Sequence, residues 1–134
     1  MTKLYRLELT EGQARAIMQA CDTLARLGMG QLASAVLDNT QHLPGYVDGL
    51  AEARDVLHQI VNWMGGGAYF ASGGPSIHNP LVPNAHRAAF DVVQVIRHQF
   101  YTEGLDTRPI ASSEPFQCGD EPVPKIIVTE AGQE

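Results

Sequence analysis

Apolar and polar residues alternate over residues 3–9, with Tyr5, Leu7 and Leu9 on one side and Arg6 and Glu8 on the other. A period of two is the pattern of a half-buried strand. The period then changes. Thr10 stands three residues before Gln13, as in a capping box, and Ala14, Ile17, Cys21, Leu24 and Ala25 form a helical stripe that ends at Gly28. Leu32, Ala35 and Val36 predict a second, shorter helix to about Leu37, followed by a loop containing Pro44. A third helix is expected over residues 46–64, with Val47, Leu50, Leu57, Ile60, Val61 and Met64 inward, before three consecutive glycines at 65–67 stop it. Residues 68–83 read as a long loop of the kind that often carries function in compact domains. The fourth helix is expected from Pro83 or Asn84 to Thr102, with Gly104 as its stop.

The remaining segment is rich in proline and acidic residues. Residues 114–121 read as an exposed loop, and Ile126, Ile127 and Val128 as a short strand that pairs with the first one. The expected fold is therefore mainly α (α+β). It has four helices packed around Ile17, Leu24, Val36, Leu57, Ile60, Val61, Val92 and Ile96, and a minor two-stranded sheet from the termini. Residues 1–134 form one domain, of which 107–134 is a Pro-rich, partly extended C-terminal segment.

Composition narrows the function classes. With 44% hydrophobic and 18% charged residues in 134, the chain has enough apolar material for one core. Two cysteines make no disulfide framework: Cys21 falls on an apolar helix face and Cys118 in the tail. The chain opens without an apolar leader, and no run approaches the ~18 apolar residues of a membrane span. A cytoplasmic location and no membrane partner are the expectations. A net charge of −6 argues against non-specific nucleic-acid binding, which needs a basic face. A small anion needs only two or three placed arginines.

The candidate chemistry lies around the fourth helix. Ala85, Ala88, Ala89, Val92, Val95, Ile96 and Phe100 fall on one broad face, expected to be core. Arg87, Asp91, Gln94 and His98 stand at i, i+4, i+7 and i+11, which stacks them along the opposite side. Arg97 lies beside them, as do the aromatics Phe90 and Tyr101. On pattern alone this row is either a solvated face or, if that side also packs, a buried or interfacial network. His78 and Asn79 sit at the end of the preceding loop. They are either turn residues bonding local backbone, or they meet the row in a pocket whose Arg, His and Asn donors suit a base or phosphate. The candidate ligand-binding residues are thus His78, Asn79, Arg87, Asp91, Gln94, Arg97 and His98.

Other chemistry has little support in the sequence. No dinucleotide fingerprint, P-loop, nucleophile elbow or zinc spacing is present, so no catalytic residue, metal or cofactor is assigned. His78, Asp91 and His98 have side chains suited to acid–base work, but nothing supplies a nucleophile or metal beside them.

Leu27-Gly-Met-Gly-Gln31, Ser76-Ile-His-Asn-Pro-x-Val-Pro83 and Ala89-Phe-Asp-x-x-Gln-Val-Ile-Arg-His98, with the Leu7-x-Leu-Thr-x-x-Gln-Ala14 opening, resemble a family of small uncharacterised phage and prophage proteins. The likeness covers about two-thirds of the chain, leaves out the last thirty residues, and implies an infected bacterium as the setting without implying a reaction. Three functions are compatible with it. The first is a counter-defence protein that sequesters a small nucleotide signal, with Arg87 and Arg97 on phosphate and Asn79 or Gln94 on a base edge. The second is a non-enzymatic protein–protein interaction module that inhibits a host or phage protein. The third is a small nucleotide-cleaving enzyme using His78 and His98. Phe90, Tyr101 and Trp63 exceed what so small a core covers, which predicts a homo-oligomer.

Overall fold

The computed structural model describes residues 3–65, 76–110 and 114–130. Four helices follow in order: α1 Glu11–Gly28, α2 Leu32–Leu37, α3 Tyr46–Trp63 and α4 Asn84–Thr102. The mainly helical fold and the helix boundaries agree with the pattern.

The local reasons are visible at the helix ends. The Gln13 backbone N–H donates to Thr10 Oγ1 at 3.2 Å, and the Thr10 N–H donates to Gln13 Oε1 at 2.9 Å. Two orphan donors are thereby satisfied reciprocally. Gly30, just past α1, and Gly104, just past α4, take φ of +75°, a conformation open to glycine at no steric cost.

The main packing unit is the pair α1 and α4, which run antiparallel. Ala14 near the start of α1 packs with Ile96 and Phe100 near the end of α4. At the opposite end, Gly28 lies directly on His86: a Cβ added to Gly28 would stand 2.4 Å from the His86 Cβ. His86 Nδ1 also pairs with the Leu24 carbonyl at 2.7 Å, locking the two helices there. A second apolar cluster, Ala25, Ile77, Val82 and Cys118, joins α1 to the loop before α4 and to the C-terminal segment, with Met29 and Phe90 packed against it.

Two expectations fail. Among the described residues no sheet forms: neither terminal segment is a strand, with Tyr5 91% and Ile127 84% exposed. A ladder needs a partner edge, and neither segment meets one among the described residues. Nor do the four helices share one core. Of the eight expected core residues only Ile96 is buried, and Leu24 is exposed. The cause is α3, which packs on α2 alone among the helices and has no buried residue. Leu57, Ile60 and Val61 are half-buried, while Val47, Val56, Trp63 and Met64 are exposed. Residues 66–75, including the first half of the expected long loop, lie outside the described residues. No described helix is long and apolar enough to cross a membrane.

Candidate functional site

The helix α4 is covered on nearly all sides. Ala89, Val93, Val95, Ile96 and Phe100 are buried, but so are Asp91 and Gln94 from the polar row. What covers that row is the chain's own C-terminal segment. Residues 116–120 pass along α4 as a strap held by polar side chains.

The Cys118 N–H donates to Asp91 Oδ1 at 2.8 Å, and the Gly119 N–H donates to Asp91 Oδ2 at 3.1 Å. A buried carboxylate is costly unless its oxygens receive donors, and here each oxygen has one. One turn along, Gln94 pairs with both backbone groups of Phe116. Its Nε2 donates to the Phe116 carbonyl at 3.0 Å, and its Oε1 accepts from the Phe116 N–H at 3.2 Å. The amide side chain thus imitates one rung of a strand ladder. Arg87 donates from Nε to the Val82 carbonyl and from a terminal nitrogen to the Cys118 carbonyl, both at 3.0 Å. Its other terminal nitrogen stands 3.7 Å from the exposed Asp120 carboxylate. Asn84 Oδ1 accepts from the Asp120 N–H at 2.6 Å, at the helix start. Gly119 lies so close that an added Cβ would stand 2.9 Å from the Ala88 backbone nitrogen.

His78 approaches the strap from the other side. Its ring stacks on Phe116, with centroids 5.1 Å apart and planes 21° apart, and its Nδ1 is 3.7 Å from Cys118 Sγ. Burial pushes the Cys118 thiol up to about 11, with the Asp91 carboxylate adding to the shift. A thiol so placed keeps its proton near neutral pH and is a poor nucleophile there. Burial also pushes the Cys21 thiol up.

The candidate residues therefore divide. His78, Arg87, Asp91 and Gln94 converge on residues 116–120. Asn79 serves its own turn: its Oδ1 accepts from the Leu81 N–H at 2.9 Å, and its carbonyl accepts from the Val82 N–H at 2.9 Å. His98 lies apart, in an open cleft of about 310 Å³ shared with Val95, Gln99, Pro115, Pro124 and Ile126. Arg97 is half-buried, and its Nε has no hydrogen-bond partner among the described residues. Its charge helps Arg108, whose side chain and backbone bond Asp106, to hold the Asp106 carboxyl below its usual range.

Cys118 and Gly119 are the partners of the polar row that the pattern missed. Both are buried, where an exposed loop was expected. Their role runs through backbone N–H groups, which every residue but proline has, so no side chain advertised it. Phe90, packed against the Ala25–Ile77–Val82–Cys118 cluster, was the available signal that this side is covered, whereas Tyr101 is exposed.

A second concavity was not anticipated. Between α2 and α3 lies a half-open cleft of about 520 Å³, lined by Gln31, Ser34, His58, Val61 and Asn62 among others. His58 and Asn62 are one turn apart on α3. Among the described residues no group of three His, Cys, Asp or Glu side chains is placed to hold a metal. Comparison of the chain with protein-family models, curated proteins and solved structures finds no match.

Proposed function

We propose that this chain is a non-enzymatic interaction module that binds and inhibits a host or phage protein. The observation that carries the reading is α3: an 18-residue amphipathic helix with no buried residue. Val56 and Trp63, seven residues apart and so on one side, are both exposed, Trp63 by 69%. Exposed apolar side chains grouped on one element mark association surfaces more often than scattered ones do. The polar row points the same way, because Arg87, Asp91 and Gln94 spend their hydrogen bonds on their own chain. The resemblance to small phage proteins supplies the setting, the cytoplasm of an infected bacterium.

The nucleotide-sequestering reading keeps one specific support, the cleft between α2 and α3. Its volume falls in the range of small-molecule sites, and Gln31, Ser34, His58 and Asn62 offer polar groups that suit a base or sugar. The described lining residues include no arginine or lysine, which favours a ligand of low charge.

One experiment separates the two. Purified wild-type chain and a Val56→Asp/Trp63→Ser variant are compared for retention of partners from infected and uninfected cells. In parallel, both are screened for thermal shift against a nucleotide panel. The module reading expects a stoichiometric partner held by the wild type and lost by a still-helical variant, with no nucleotide shift. A nucleotide that raises the melting temperature, abolished by His58→Ala and unaffected by the α3 variant, would replace it with the second reading.

A further inference from the structure

Tyr46, Gly49, Ala53, Val56, Ile60 and Trp63 follow one another along α3 at alternating steps of three and four residues. That is the spacing of a helix–helix seam, in which each side chain inserts between those of a facing helix. Within the chain α3 has too little to face. It packs on α2 alone among the helices, and α2 has six residues against its eighteen. At ~1.5 Å per residue, α2 covers about a third of its length. α2 also lies to one flank, where Val61 lines the cleft between the two helices. The seam itself is open at three points along its length. Val56 is 46% and Trp63 69% exposed, and a Cβ added to Gly49 would meet nothing within 4 Å.

The other flank is acidic. Asp48, Glu52 and Asp55 stand at i, i+4 and i+7, so they form one row beside the seam, with Glu52 one turn before Val56. All three are exposed, and none of their side chains has an ion pair or hydrogen bond among the described residues. Arg54, the one arginine of α3, cannot neutralise the seam side. At ~100° per residue it falls ~160° round the helix from both Glu52 and Val56.

We infer that α3 docks an amphipathic helix of the partner protein whose apolar edge is flanked by lysine or arginine. This rests on the reading of the chain as an interaction module, and it adds the chemistry of the partner. The apolar edge fills the seam, in the manner of a helix laid into a groove. The basic flank meets the three unpaired carboxylates, and such complementarity speeds encounter and selects among partners. A second copy of α3 fits worse. Paired antiparallel, it sets acidic row beside acidic row; paired parallel, it sets the row against the half-buried flank of Leu50 and Leu57.

The test uses the full chain and two synthetic helices of three heptads with leucine at the seam positions, one flanked by lysine and the other by glutamate. Trp63 is the single tryptophan of the chain, so its fluorescence reports the seam directly. The lysine peptide is expected to shift that emission to shorter wavelength and to saturate. At low salt it binds about tenfold more tightly than the glutamate peptide, and the gap narrows as salt screens the charges. Asp48→Lys/Glu52→Lys/Asp55→Lys reverses the preference, with the helices retained by circular dichroism. An apolar contact alone would not give that reversal. Equal binding of the two peptides, or a preference that survives the triple variant, overturns the basic partner but leaves α3 as an association face. Emission that neither peptide moves also overturns it, and the module reading then falls too only if Val56→Asp/Trp63→Ser keeps every partner the wild type holds. Emission that shifts with protein concentration alone, with light scattering at about twice 14.5 kDa, gives the seam to a second copy and overturns the inference.

Discussion

Asp91 and Cys118, twenty-seven residues apart, meet at 2.8 Å where the carboxylate of one receives the backbone N–H of the other inside the protein. The bond turns a helix side chain into an anchor for the tail. Because Gly119 donates to the second oxygen, the carboxylate is satisfied only when the strap is in place. Docking of the strap and burial of the charge are therefore one event.

Replacing Asp91 should consequently be among the most damaging changes in this protein. Asp91→Ala leaves two buried N–H groups without acceptors and is expected to cost about 2–4 kcal/mol. Asp91→Asn keeps the shape but turns an NH₂ group toward a donor, so it should recover little. Urea unfolding measures the loss, and limited proteolysis should cut near residues 114–121 first. A stable Asp91→Ala variant with a protected tail would show that the strap is held by other contacts.

Arg87 and Arg97 should behave differently from each other. Arg87 donates to two backbone carbonyls and is mostly covered, so Arg87→Ala is expected to lower stability by about 1–3 kcal/mol. Arg87→Lys cannot reach both carbonyls with one ammonium and should recover only part. Arg97→Ala removes a guanidinium whose Nε has no hydrogen-bond partner among the described residues, and should cost clearly less. Thermal melts of the three variants decide the order.

Two glycines in helices make opposite predictions. An alanine at Gly28 drives its Cβ into His86 at the crossing of α1 and α4. Gly28→Ala should destabilise by about 1–3 kcal/mol, as overpacking does. Gly49 sits in α3 with nothing within 4 Å of an added Cβ. Gly49→Ala should instead stabilise by roughly 0.5–1 kcal/mol through helix propensity. Equal effects at both sites would mean that the α1–α4 contact is looser than described.

Stability should also fall at high pH through Cys118. Its ordinary value of 9.0 is raised to about 11 in the folded chain. The folded state therefore binds the thiol proton more tightly than the unfolded state does. Its contribution is complete below about pH 9 and is lost as pH rises toward about 11. At ~1.36 kcal/mol per unit, the loss is at most roughly 2–3 kcal/mol. Other groups titrate in the same window, so the measurement is a difference. Between about pH 8 and about pH 10.5, wild type should lose more urea stability than Cys118→Ala. Parallel losses would contradict the shift.

Helix positions were legible in the sequence because their causes are local. The Thr10–Gln13 box, the stop at Gly28–Gly30 and the stop at Gly104 all act over a few residues. The apolar stripes of α1 and α4 marked sides that are covered only in part, since Leu24 and Ala85 on them are exposed. What covers them was not legible. An amphipathic stripe states a need for burial without naming its partner, so the pattern of α3 read like that of a core helix although, among the helices, it packs on α2 alone. Val92 was expected inward and is only half-buried, whereas Asp91 beside it is fully enclosed. The deciding contacts are made by the backbone of Phe116, Cys118 and Gly119, and a peptide N–H is the same in an exposed loop as in a buried strap. The sequence by itself determined where this chain is helical and which residues could form a polar row on α4. Only the tertiary structure, by laying residues 116–120 across that row, decided that Asp91 and Gln94 bind the protein's own backbone.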